Sequence, residues 1–167
     1  PHMRDSWRHF AAEFIGLFAL VFVGGAAIMT AHQSNNPNGL LIAAIAHGLI
    51  LALMVTATMR ISGHINPAVT IGFLVTRRIE PAMAAIYIIA QLLGAVLAAY
   101  ALKAIFPADL AAATRLGGQS IALDLSAGQA ILCEFIATFF LTFVIALPGL
   151  LVLAWKRQTI EALDRKT

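Results

Sequence analysis

The sequence has few charged residues and almost no cysteine. Charged residues make up 11% of its 167 residues, whereas about 25% is usual in soluble globular domains. Hydrophobic residues make up 60%, and the mean hydropathy is +0.88. This composition excludes an ordinary soluble domain. The single cysteine, Cys133, lies in an apolar run, which excludes a framework of disulfide bonds.

Residue patterns typical of catalysis are also lacking. The sequence shows no nucleophile–base set, no metal-ligand spacing and no phosphate-binding loop. His47 and His64 are separated by 17 residues, and no clustered cysteine or carboxylate accompanies them. The sequence therefore predicts a protein that is not an enzyme, with no catalytic residues, no metal and no cofactor.

Four apolar stretches are each long enough to cross a bilayer, which takes about 20 residues of helix for ~30 Å of hydrocarbon. They comprise residues 10–30, 40–59, 82–102 and 127–147. The first stretch is too long for the core of a signal peptide, so we expect it to be retained as a helix. Pro1-His2, which precedes Met3, has the form of a cloning scar.

The basic residues lie mainly in alternate connections between these stretches. Nine of the eleven fall before the first stretch, around residues 60–78 or after the fourth stretch, whereas Lys103 and Arg115 lie elsewhere. Such a bias is the positive-inside pattern of membrane proteins. It predicts an integral membrane protein, of the bacterial inner (plasma) membrane, with its N- and C-termini in the cytoplasm. The positive net charge therefore indicates topology, and nucleic acid is not an expected partner.

An inverted repeat is present within the sequence. Residues 13–23 (EFIGLFALVFV) align with residues 134–144 (EFIATFFLTFV), with seven of eleven positions identical at an offset of 121. Because one copy is predicted to run outward and the other inward, the repeat is inverted, as in many transporters. Adding 121 to Asn66 gives 187, which lies beyond Thr167. We therefore expect a first repeat followed by only the opening helix of a second.

A polar motif follows the second apolar stretch. Residues 61–70 read ISGHINPAVT and contain Asn66-Pro67-Ala68. Asparagine is a favoured helix N-cap and proline a favoured first helical residue, so a helix is predicted over residues 67–76. At 1.5 Å per residue its length is about 16 Å, roughly half of the hydrocarbon thickness. The sequence thus predicts a re-entrant half-helix whose positive pole, which opposes cations and protons, lies near the membrane centre.

This motif resembles the first signature loop of the aquaporin (major intrinsic protein) family. The resemblance covers roughly residues 10–146 and includes AEFIG at 12–16, AHGL at 46–49, TRRI at 76–79 and AQLLGA at 90–95. It implies an all-α, aquaporin-like membrane fold with four transmembrane helices plus one re-entrant half-helix. It also implies passive conduction of water or a small neutral solute. Family members build one pore from two such motifs, so this sequence resembles a half-size member.

The resemblance further implies roles for particular residues. The pore motif would be Asn66, Pro67 and Ala68, with the Asn66 amide donating to the solute. The pore lining would comprise His47, Gly63, His64, Ile65 and Val69. Glu13 and Glu134 would hold re-entrant loops by accepting backbone hydrogen bonds. For His47, ordinary packing between helices is the alternative to a place in the outer constriction.

The predicted organisation has five parts. Residues 1–2 are the scar, residues 3–104 the first repeat with its re-entrant loop (61–78), and residues 105–126 an extracellular loop. Residues 127–147 are the first helix of a truncated second repeat, and residues 148–167 a divergent cytoplasmic interfacial tail. Pro148 is expected to kink the fourth helix.

Two functional hypotheses follow. In the first, the protein is a half-channel in membrane lipid, completed by homo-oligomerisation in one orientation or by a complementary second-half polypeptide; the charge bias opposes an inverted pair. In the second, it is a non-conducting membrane protein derived from the family: a truncated remnant, an assembly partner or a subunit of a larger complex. Flux of water or a small neutral solute distinguishes them.

Overall fold

A computed structural model describes residues 5–164, with side chains described for residues 5–145. The predicted scar at residues 1–2 lies outside this range. Across the described residues the chain is helical and has no strand. Four helices are long and apolar enough to cross a membrane, so the prediction of an all-α protein with four spanning helices is confirmed. These spans are Ser6–Gln33, Gly39–Thr58, Pro81–Ile105 and Ala127–Ile145.

The helices belong to two compact units, residues 1–120 and residues 121–167. The described part of the first unit contains α1 to α5, and that of the second contains α6. A short 3-10 turn follows α5. The bounds are α1 Ser6–Gln33, α2 Gly39–Thr58, α3 Pro67–Val75, α4 Pro81–Ile105, α5 Ala108–Thr114 and α6 Ala127–Asp164.

Helix α1 is the centre of the first unit, because α2, α4 and α5 all pack against it. Its approach to α4 is close at Gly94. A Cβ atom there would collide with the carbonyl oxygen of Phe14 and would lie 3.1 Å from the backbone nitrogen of Phe18. Small residues permit such backbone contact between helices in lipid. The close crossing brings the polar residues of α1 and α4 within hydrogen-bond distance of each other.

The connection after α4 is more ordered than the predicted loop over residues 105–126. It contains α5, which packs on α1 with Leu110 and Ala111 buried. The helix follows Pro107 and has Asp109 in its first turn, where a carboxylate favours the positive end of the helix. A run of alanine, the strongest helix former, completes it. The sequence did not predict this helix within the connection.

Helix α6 is longer than the predicted span 127–147. It continues through Pro148 to Asp164, without a break in the helix at the proline. Proline removes one backbone hydrogen bond, but its fixed φ is compatible with a helix. In an apolar setting a continued helix satisfies the other backbone groups, which a loop would leave unpaired. Side chains beyond residue 145 are not described, so the interfacial role predicted for the tail lies outside that part of the structure.

Candidate functional site

One buried carboxylate holds the polar loop between α2 and α3. Glu13 of α1 is 0% exposed. Its Oε1 accepts hydrogen bonds from the Ser62 hydroxyl, from the Gly63 N–H at 3.1 Å and from the His64 N–H at 2.9 Å. Its Oε2 accepts the Ile65 N–H at 2.7 Å. Four consecutive loop residues thus donate to one side chain, which compensates the cost of burying a carboxylate.

Gln91 of α4 connects this carboxylate to the half-helix α3. Its Nε2 donates to Glu13 at 2.6 Å and to the Thr70 hydroxyl at 3.1 Å. The Thr70 hydroxyl also lies 3.1 Å from Nδ1 of His64 and 3.2 Å from the carbonyl oxygen of Asn66. Glu13, Thr70 and Gln91 are all fully buried. A single polar network therefore joins α1, the loop, α3 and α4.

The loop reaches this geometry through two residues with positive φ. Gly63 has φ +152°, which glycine tolerates, whereas Ile65 has φ 46°, a left-handed conformation that is strained for a β-branched residue. Burial of the Ile65 side chain and its N–H bond to Glu13 offset this strain. The strained backbone turns successive N–H groups towards one point in the interior.

The opposite edge of the loop has no partner in the described part of the chain. The carbonyl oxygens of Gly63, His64 and Ile65 accept no hydrogen bond from any described residue, although the N–H groups of the same residues are all bonded. On one edge of the loop every N–H group is therefore hydrogen-bonded. On the other edge, three carbonyl oxygens remain as hydrogen-bond acceptors. Within a membrane, unpaired backbone groups persist only where they meet water or a polar ligand.

The half-helix α3 begins as the sequence predicts. Asn66 has an extended backbone, its Oδ1 accepts the Ala68 N–H at 2.8 Å, and Pro67 is the first helical residue. The helix ends at Val75, one residue before the predicted end. The Asn66 Nδ2 group makes no hydrogen bond to another residue in the range the structure describes. Its two N–H donors are thus available at the positive pole of the helix.

The side chains of two predicted pore-lining residues, Ile65 and Val69, are 0% exposed, whereas the exposed apolar residues of α3 are Ile71 and Val75. The His47 Nδ1 lies 2.7 Å from the carbonyl oxygen of Ala43 in its own helix. The imidazole packs on Gly24 of α1, where a Cβ atom would collide with it. Such a contact is expected if His47 serves in ordinary packing between helices, which is the alternative to its predicted place in the outer constriction.

The two predicted carboxylates have different surroundings. Glu13 is buried in the first unit, while Glu134 lies on α6 in the second unit and is exposed. No described residue forms a hydrogen bond or salt bridge with Glu134.

Gln91, Thr70 and Tyr87 are site residues that the sequence did not predict. Gln91 carried a usable signal, since an amide in the middle of an apolar span requires a partner or a function. Thr70 lies four residues after Asn66, on the same face of α3. Tyr87 carried no comparable signal, because its importance depends on contacts between α1, α4 and the loop.

The fit between Gly16 and Ile65 gives a testable prediction of stability. A Cβ atom on Gly16 would lie 2.8 Å from Cγ1 and Cδ1 of Ile65, whose backbone cannot shift without releasing Glu13. We expect Gly16→Ala to lower the free energy of unfolding by about 1–3 kcal/mol, as overpacking does. Thermal unfolding in detergent measures the change.

Gly48 provides the matched control, since a Cβ atom there meets no atom within 4 Å. Gly48→Ala should be neutral or should stabilise by about 0.5–1 kcal/mol, because alanine is the better helix former. The Ile65→Val change should recover part of the loss in the Gly16→Ala background. Equal midpoints for Gly16→Ala and Gly48→Ala would contradict the proposed contact.

Comparison with known proteins relates most of the chain to one family. The family model described as major intrinsic protein matches residues 2–148. The chain is 40% identical over 139 residues to glycerol uptake facilitator protein-like 6 of Lactiplantibacillus plantarum, covering 83% of this chain and 62% of that protein. It is 37% identical over 142 residues to aquaporin-4 of Mus musculus, covering 83% and 43%.

A plant relative shows a similar match. The probable aquaporin TIP3-2 of Arabidopsis thaliana is 38% identical over 153 residues, covering 84% of this chain and 55% of that protein. The chain therefore spans about half the length of the curated relatives it matches.

Proposed function

Because the chain belongs to the major intrinsic protein family, we propose that it forms one side of a passive channel for water or a small neutral solute. Members of this family are membrane channels and not enzymes, as the sequence predicts. The four spanning helices make the protein an integral membrane protein. The choice of a neutral solute rests on the chemistry of the loop and of the half-helix that follows it.

The proposal rests on the hydrogen bonding of the loop between α2 and α3. Its N–H edge is bound to Glu13, and its three carbonyl oxygens are left as acceptors beside the Asn66 amide, a donor. A molecule that both donates and accepts hydrogen bonds can exchange its water shell for these groups. A cation meets the positive pole of α3 together with the Asn66 N–H groups, which raises its barrier.

The other side of the passage comes from a second copy of the chain or from a complementary polypeptide. The described residues contain one re-entrant half-helix, and a pore built from a single wall would open to lipid. The charge bias of the sequence supports insertion of all copies in one orientation, with the loop and both chain ends in the cytoplasm of a bacterial cell. Chemical cross-linking of inserted copies tests this arrangement.

Osmotic shrinkage of proteoliposomes, followed by stopped-flow light scattering, tests conduction. We expect vesicles with purified, correctly inserted protein to shrink several-fold faster than empty vesicles. A second run with a permeant polyol gradient separates water from solute conduction. Rates equal to those of empty vesicles would favour the hypothesis of a non-conducting membrane protein.

A further inference from the structure

The His64 side chain lies in a row of stacked rings beside the loop. Its ring centroid is 4.4 Å from that of Phe73 and 5.0 Å from that of Tyr87, which meets it edge-on at 68°. The His9 ring stacks on Tyr87 at 5.8 Å. At the other end, the Arg78 guanidinium lies 5.9 Å from the centroid of Phe73. The row therefore connects the start of α1 with the end of α3.

Tyr87 lies on a spanning helix and contacts both α1 and the loop. It belongs to α4, is 6% exposed, and its hydroxyl lies 2.7 Å from Nδ1 of His9 on α1. Phe73, in contrast, belongs to α3. The Tyr87 ring is thus the surface that the spanning helices α1 and α4 present to the His64 imidazole.

Few other contacts restrain the His64 imidazole. Its Nδ1 shares one hydrogen bond with the Thr70 hydroxyl, at 3.1 Å. Its Nε2 has no partner within the described residues, and the side chain is only half-buried. An edge-to-face contact between rings contributes about 0.5–1.5 kcal/mol, which is comparable to the hydrogen bond. Loss of the Tyr87 ring would therefore leave only the Phe73 ring and the Thr70 hydroxyl to restrain rotation about χ1.

We propose that Tyr87 is a positioning residue that keeps the His64 imidazole packed between α3 and α4. In that position the imidazole stays clear of the loop edge that carries the free carbonyl oxygens. Without the ring, the imidazole can rotate beside its own carbonyl oxygen and obstruct the passage. The consequence for transport rests on the proposed function, whereas the consequence for the position of His64 does not.

Chemical modification tests the position of His64 directly. Diethyl pyrocarbonate reacts with accessible imidazoles, and mass spectrometry of peptides from the full-length protein measures the rate at His64. We expect Tyr87→Leu to raise this rate at least threefold. Tyr87→Phe, which keeps the ring, should stay within twofold of the wild type. Tyr100→Leu is the matched control, because Tyr100 lies on the same helix and is 65% exposed.

An unchanged His64 rate in Tyr87→Leu would overturn the proposal, as would an equal rise in Tyr87→Phe. If Tyr87→Leu is not recovered in folded form, Tyr87→Met replaces it, because methionine fills a similar space without a ring. The same expectation and the same contradiction then apply to Tyr87→Met.

Water flux provides the second readout. Tyr87→Leu should lower the osmotic permeability about fivefold, and the added His64→Ala change should restore it by removing the released imidazole. Unaltered flux in Tyr87→Leu, or no recovery in the double variant, would contradict the role in transport. If even the wild type shrinks no faster than empty vesicles, the proposed function fails, while the His64 modification rate still decides whether Tyr87 positions that side chain.

Discussion

Alanine at position 13 is expected to release the re-entrant loop and to abolish solute flux. Glu13→Ala leaves the partly buried N–H groups of Gly63 and His64 and the buried N–H group of Ile65 without an acceptor. A fully buried group of this kind costs about 1–3 kcal/mol, and each partly buried group adds a smaller cost. A loss of this size is a large part of the total stability of a typical domain, which is about 5–15 kcal/mol.

Unfolding in detergent and osmotic shrinkage of vesicles measure the two effects of Glu13→Ala. The matched control is Glu80→Ala, since Glu80 is exposed before α4 and its side chain caps no helix. Glu13→Gln should have an unfolding midpoint and a flux between those of the wild type and Glu13→Ala. The glutamine amide oxygen still accepts hydrogen bonds from the loop, but its NH2 group replaces the second acceptor oxygen with a donor. A wild-type unfolding midpoint in Glu13→Ala would contradict the role of this carboxylate.

Aspartate at position 66 is expected to alter conduction while leaving α3 folded. The carboxylate introduced by Asn66→Asp retains an oxygen that can accept the Ala68 N–H, and an acidic N-cap is favourable at a helix start. The change removes the amide donors and can place a negative charge at the positive pole. We expect neutral-solute flux to fall about fivefold, the effect of one lost hydrogen bond of about 1 kcal/mol, or cations to leak.

Flux assays with water, polyol and a cation-sensitive dye separate these outcomes. Asn38→Asp is the matched control, because Asn38 precedes α2 at an exposed position and its side chain makes no capping bond. Unchanged flux and unchanged selectivity in Asn66→Asp would indicate that the solute does not pass this loop.

Local signals were sufficient to predict the half-helix. An asparagine cap followed by proline fixes the start of α3, and the apolar residues that follow are too few to cross a bilayer. The four spans were equally clear, because their length and composition leave few alternatives. Family resemblance, rather than local pattern, indicated that Glu13 serves the loop.

Features that depend on tertiary contact were not predicted. Helix α5 is packed against α1 through Leu110 and Ala111. A helix of seven residues is too short for its hydrophobic periodicity to predict this contact from the sequence. The alignment of Tyr87 with His64 requires α4 to cross α1 closely at Gly94. The burial of Val69, which is predicted to line the pore, likewise depends on the packing of α3 against α4.

Solid-state NMR of the protein in lipid can show whether the start of the half-helix meets water, because it measures magnetisation transfer from water to side-chain amides. We predict a strong water signal at the Asn66 Nδ2 group, which has no partner among the described residues. We predict none at the Gln91 Nε2 group, which is buried and bonded to Glu13 and Thr70. Equal, weak transfer at both amides would show that the half-helix points into a dry interior, and would contradict a water-filled passage at Asn66.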